Sequence, residues 1–289
     1  MKKTPNKKEI DINSFLSKYN TSNNSKNQTL STNDFSSAYN DVYHIDTSDF
    51  SLKDIILPKK IEEEIRYMVY EQENKVFFEK FNLIPSNKVL FYGNPGCGKT
   101  RLSFILSSLL KRELKVVNLS RLISPHLGET SANISGIFNK YGNKDYILFI
   151  DEFDIIGRLR GDNNNEHNEM KRVVNSLLQL IDFLPSDAFL ILATNDIDII
   201  DKALIRRLDK SIEIPMPTTS NIKKYIKSKL KIFNDIVGEI DYSFLAKKYK
   251  GLSYSYIEKE IEDSLKKFLI EYKKGNLKKD NFITTEIFK

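Results

Sequence analysis

The chain has 289 residues, 40 % hydrophobic and 29 % charged, with a formal net charge of +6, which is ordinary for a soluble globular protein of one large or two modest domains. Its basic N-terminus is followed by no apolar stretch, and no run approaches the roughly 20 residues that span a bilayer, so neither a signal peptide nor membrane insertion is expected. The single cysteine, Cys97, excludes an internal disulfide and fits a reducing cytoplasm.

In chain order, residues 1–48 are rich in Asn, Ser, Thr and Lys, with too little apolar surface to offset the entropy of ordering, and are read as a disordered polar segment. Within it, residues 10–19 form an amphipathic piece able to serve as a docking helix. Residues 61–81 carry Ile61, Ile65, Met68, Val69, Val76 and Phe77 at helical spacing and predict one amphipathic helix. Short apolar runs then alternate with helical stretches; the runs are 88–92, 114–119, 146–151, 189–194 and 211–215. Strands alternating with helices predict a parallel sheet covered on both faces.

After residue 217 the strands stop. Helices are expected over 220–233, 242–249 and from Ser255, where Ser255 and Glu258 have capping-box spacing ahead of Ile261, Leu265, Phe268 and Leu269. The expected organisation is a polar segment (1–48), an α/β domain (49–217) and a small α-helical domain (218–289). From residue 218 on, 16 Lys and no Arg stand against 10 Asp plus Glu, so this part carries the whole positive excess. An acidic partner or nucleic acid would suit such a charge, but arginine is the better bidentate reader of phosphate, and its absence favours a solvated helical surface.

Gly93-Asn94-Pro95-Gly96-Cys97-Gly98-Lys99-Thr100 matches G-x-x-x-x-G-K-[ST] between a predicted strand and a predicted helix. Glycines let the backbone form a concave nest of N–H groups around phosphates, and the following helix adds its N-terminal partial charge. Lys99 is expected to reach the β- and γ-phosphates of ATP and the Thr100 hydroxyl to ligate Mg²⁺. Cys97 is either a thiol activated by the helix N-terminus or a small filler turned away from the ligand; the filler reading is preferred. The apolar run 146–150 ends in Asp151 and Glu152, expected to hold the Mg²⁺ shell and to act as general base on water, respectively. Asn195, at the polar end of the run 189–194, can bond the γ-phosphate or the lytic water. Arg206 and Arg207 follow a short helix and could stabilise charge on a neighbour's γ-phosphate.

With these residues assembled, the chain resembles the AAA family of ATPases from about residue 50 onward. The phosphate loop is similar, with Asn94 where the family has a second proline and Cys97 where it has threonine. Leu127-Gly128-Glu129-Thr130 with Ile137-Phe138 resembles the first pore loop and the helix after it. Lys171-Arg172-Val173-Val174-Asn175-Ser176-Leu177-Leu178 is similar to the helix following the second pore loop, which spans 158–169. Ala193-Thr194-Asn195 looks like sensor 1, and residues 203–215 resemble the arginine-finger region of the katanin and spastin type. Gly251-Leu252-Ser253 looks like the lid segment near the adenine, although Tyr254-Ser255 stands where the family has Gly-Ala.

The resemblance implies a P-loop three-layer α/β sandwich with strand order 5-1-4-3-2, counting the five predicted strands in sequence, and an α-helical lid. It also implies Ile55 and Ile56 beside the adenine, Arg101 next to the phosphate loop, Arg206 and Arg207 acting in trans, and assembly as a hexamer. At the first pore loop the aromatic residue of polypeptide-threading relatives is replaced by His126. Three functions are compatible: an ATP-driven ring that remodels a protein client, an ATP-gated switch controlling a partner enzyme without threading it, and a DNA-directed ATPase. The first is preferred, and nucleic acid is disfavoured because no DNA-binding module accompanies the domain.

Overall fold

A computed structural model describes residues 42–119, 129–158, 166–233, 236–274 and 283–288. They fall into two compact units, one ending at Met216 and one beginning at Pro217. The first unit contains β1 (Val42–Ile45), α1 (Lys59–Glu73), α2 (Lys75–Glu79), β2 (Lys88–Tyr92), α3 (Lys99–Leu110), β3 (Glu113–Asn118) and α4 (Glu129–Tyr141). It continues through β4 (Tyr146–Asp151), α5 (Asp154–Arg158), α6 (Glu166–Asp182), β5 (Phe189–Thr194), α7 (Lys202–Ile205) and β6 (Lys210–Glu213).

The strands form one sheet in the order β1-β3-β4-β5-β2-β6. The five strands read from the sequence are mutually parallel and keep the order implied by the resemblance. The sixth, β1, lies antiparallel on the β3 edge, with Val42 opposite Val117 and Ile45 opposite Leu114. The polar segment therefore does not extend to residue 48 as expected. Val42-Tyr43-His44-Ile45 is too short and too polar at its borders to announce itself, and the open β3 edge supplies the pairing that local pattern did not.

Side-chain alternation divides the sheet residues between two cores. Val89, Phe91, Ile147, Phe149, Ile191 and Ala193 pack with Ile61, Ile65 and Met68 of α1 and Leu102 and Leu106 of α3. Leu90, Leu148, Ile150, Leu190 and Leu192 pack on the other face with Ile134, Ile137 and Phe138 of α4 and Val174, Leu177 and Ile181 of α6. Each strand supplies consecutive residues to opposite faces, so continuous apolar runs are what a sheet covered on both sides demands.

The single helix expected over 61–81 is broken. Asn74 adopts φ −110°, ψ 26°, and its side-chain amide donates to Tyr70 O at 2.9 Å, which ends α1 and starts α2. An asparagine that bonds the preceding turn competes with the helical ladder.

The second unit contains α8 (Thr219–Leu230), α9 (Tyr242–Lys248) and α10 (Tyr254–Lys273). Ile222, Ile226 and Leu230 meet Leu245, Ala246, Ile257, Ile261, Leu265 and Phe268 in its core. Lys229 of α8 pairs with Glu258 of α10. The N-cap of α10 is Ser253, so Ser255 lies within the first turn and the capping box expected there is not the one used. A reciprocal capping box occurs instead at Ser51 and Asp54, around the 3₁₀ turn Leu52–Asp54. No helix among the described residues is long and apolar enough to cross a membrane.

Candidate nucleotide-binding site

All five parallel strands end on the same side of the sheet, where Gly93, Asp151 and Asn195 emerge from β2, β4 and β5. Open parallel sheets place ligands beyond the carboxyl ends of their strands. Here the loop 93–100 joins β2 to α3. Gly93 has φ +133°, and a Cβ there would sit 2.3 Å from Ile214 O. The close approach is enforced by β6, since Ile214 N donates to Tyr92 O at 2.7 Å. Gly98 has φ +107° and caps α3. We expect Gly93→Ala to destabilise the fold by at least about 2 kcal/mol in urea unfolding, from backbone strain and the clash together. A loss below about 0.5 kcal/mol would mean that the loop moves freely away from Ile214.

Lys99 is 7 % exposed, yet its ammonium is fully engaged. It donates to Gly93 O at 2.7 Å, Asn94 O at 3.1 Å and Asn195 Oδ1 at 2.7 Å. Burial pushes its pKa below the usual lysine range, opposed by the negative field of Cys97, Asp151 and Asp154. An arriving polyphosphate would strengthen that opposition and favour the charged form. The Thr100 hydroxyl donates to Asp151 Oδ2 at 2.7 Å, joining the start of α3 to the end of β4. These are hard oxygen donors, the kind that Mg²⁺ takes one or two of while phosphates and water complete its shell. Thr100 and Asp151 therefore fit that ion.

Glu152 is exposed and has φ +51°, the left-handed region that non-glycine residues rarely occupy. Two bonds hold it there. Its N–H donates to Asp151 Oδ1 at 2.9 Å, and the next N–H, of Phe153, donates to Ala193 O at 2.8 Å. The carboxylate is thus carried on a turn at the end of β4 that is tied to β5 through Ala193.

Asn94, Pro95 and Gly96 form the exposed tip of the loop. Cys97 is buried, with its Sγ 3.4 Å from Met216 Sδ. Burial raises its thiol pKa, partly countered by Lys99, the direction that a packed filler takes. Ile55 and Ile56 are half-buried. Ile55 Cδ1 would lie 3.1 Å from a Cβ at Gly98, which puts the 55–56 segment against the phosphate loop. Arg101 is exposed on the first turn of α3 with its guanidinium carbon 5.9 Å from the Phe50 ring centroid.

Arg206 and Arg207 are not brought to this end of the sheet. Two residues later, Asp209 N donates to Lys88 O at 2.8 Å, at the beginning of β2. Arg206 is exposed, whereas Arg207 Nε donates to both carboxylate oxygens of Asp182, each at 2.9 Å. Asp182, the last residue of α6, was not singled out from the sequence. An acidic residue at a helix C-terminus faces the negative end of the dipole and calls for a cationic partner, which is the signal that could have found it. His126 and the pore-loop segment 124–128 lie outside the described residues, as do residues 159–165 of the second loop.

The parallel sheet, the glycine-lined loop and the convergence of Lys99, Thr100, Asp151 and Asn195 define a P-loop nucleotide-binding domain. Residues 89–216 match the ATPase family associated with various cellular activities, AAA. The chain is also similar to the uncharacterized AAA family ATPase y4kL of Sinorhizobium fredii, with 38 % identity over 194 residues, covering 67 % of this chain and 58 % of the relative. Residues 89–216 are a P-loop ATPase domain of the AAA family. The chain spans less than two thirds of that relative's length.

Proposed function

We propose that this protein hydrolyses ATP as a ring of AAA protomers and uses the cycle to remodel a protein client. Residues 49–217 are the ATPase domain and residues 218–289 its helical companion. The observation that supports the ATPase part of this reading is the meeting of three strand ends at one loop, with Lys99 bonded to Asn195 and Thr100 to Asp151.

In this reading the backbone N–H groups of residues 93–100 receive the phosphates, and Lys99 leaves Gly93 O, Asn94 O and Asn195 for the β- and γ-oxygens. That exchange releases the Asn195 amide, which can then report on the γ-phosphate or orient the attacking water. Thr100 and Asp151 hold Mg²⁺, which neutralises charge on the phosphates when bound. Glu152 removes a proton from the water, a role worth about 10²–10⁴-fold in rate. Ile55 and Ile56 flank the base, with Arg101 at the mouth of the loop. Arg206 serves the ATP of the adjacent protomer.

The test is Glu152→Gln, which keeps the size of the side chain and removes its basicity. Its turnover should fall at least about 100-fold with ATP still bound. By light scattering coupled to sizing, Mg-ATP should shift it from a small species to a ring of about six subunits. Normal turnover would remove Glu152 from the mechanism. A monomer with and without nucleotide would exclude the ring and leave an ATP-gated switch.

A further inference from the structure

We propose that Asp182 is a positioning residue for Arg206, and that Arg207 acts in cis as its tether and not as a second arginine on the neighbour's ATP. This rests on the ring-ATPase reading above. The two adjacent arginines are equivalent by sequence pattern but have opposite circumstances in the fold. Arg206 is exposed. The Arg207 guanidinium is committed: Nε bonds both oxygens of Asp182, and Nη1 donates to Ala203 O at 2.9 Å. One side chain thereby ties the end of α6 to the backbone of α7.

The rest of the segment is fixed in the same manner. Asp201 caps α7, accepting Ala203 N at 2.8 Å. Asp209 Oδ2 accepts both Asn87 N and Lys88 N at 2.8 Å, closing the far end onto the start of β2. Three carboxylates therefore brace residues 201–209 against α7 itself, α6 and β2, and Arg206 is the exposed cation carried between the braces. An arginine that must meet charge developing across a subunit boundary needs this, because a displacement of about 1 Å can cost about 100-fold in rate. The Asp182–Arg207 pair is 46 % and 35 % exposed on its two sides, so it adds little to global stability and its removal should be felt in geometry.

A double-mutant cycle on the full chain separates tether from finger. Asp182→Ala, Arg207→Ala and the double variant should each lower kcat by a similar factor, about 10- to 100-fold, without a further loss in the double. KM for ATP, binding of a fluorescent ATP analogue and the melting temperature should stay near wild type. The charge reversal Asp182→Arg/Arg207→Asp should recover a large part of kcat, which no finger on a neighbour's phosphate could do. The inference is overturned if Asp182→Ala retains full activity while Arg207→Ala is inactive, or if the two losses multiply and the reversal recovers nothing. A wild-type protein that assembles no ring, or whose hydrolysis is indifferent to Arg206→Ala, overturns the ring reading itself and this inference with it. Arg206-dependent hydrolysis with an additive cycle overturns this inference alone.

Discussion

Lys99→Ala is expected to lose ATP binding, with affinity falling by roughly 10²–10⁴-fold. The figure follows from two charge-assisted hydrogen bonds to phosphate at about 1.5–3 kcal/mol each, with tenfold in affinity for every 1.4 kcal/mol. Unfolding would be the trivial cause of such a loss, and the geometry argues against it. Lys99 satisfies Gly93 O, Asn94 O and Asn195 Oδ1, but it does so as a cation whose pKa is held down by burial. Removing it gives up three bonds and also a desolvated charge, two effects of opposite sign that leave a smaller net change in stability than in affinity.

The sign of the pH dependence provides a second check. A lysine with a lowered folded pKa makes the unfolded chain bind more protons at alkaline pH. Stability therefore rises with pH between the lowered folded value and the ordinary 10.5, and Lys99→Ala should flatten that rise. Isothermal titration with ATP and urea unfolding at two alkaline pH values measure both effects. Retained affinity would overturn the assignment of the phosphate loop.

The parallel strands were legible because being buried on both faces leaves no room for polar alternation. Phe149 and Ile150 go to opposite cores, so every position of the run must be apolar. The residues around the loop were legible because each sits at a strand end, where an apolar run stops abruptly at Asp151 or Asn195. What stayed hidden depends on partners remote in sequence. β1 exists because β3 offers an edge, and nothing within Val42–Ile45 encodes that. The helix break at Asn74 turns on one side-chain amide that could equally have faced solvent. The different settings of Arg206, exposed, and Arg207, bonded to Asp182, depend on a residue 25 positions from Arg207. Local chemistry was readable wherever the backbone alone delivers the group, and unreadable wherever a second side chain decides its direction.

Arg206→Ala should bind ATP normally yet hydrolyse it about 10³-fold more slowly, the lower end of what an arginine finger contributes. It should also be rescued by a partner that is itself inactive. The segment bearing Arg206 closes onto Lys88, at one end of β2, while the phosphate loop leaves the other end at Gly93. Five residues of strand separate the two by roughly 16 Å, more than twice the reach of an arginine side chain. On that spacing a protomer would not supply this group to its own ATP, whereas a neighbour in the proposed ring would. Mixing Arg206→Ala with Lys99→Ala protomers in equal amounts creates a complete site wherever the first supplies the loop and the second the arginine. Random assembly makes that about one interface in four, so activity should return to up to a quarter of wild type from two nearly inactive preparations. A mixture no more active than its components would mean that Arg206 does not complete a neighbour's site, because complementation needs only one intact loop facing one intact arginine.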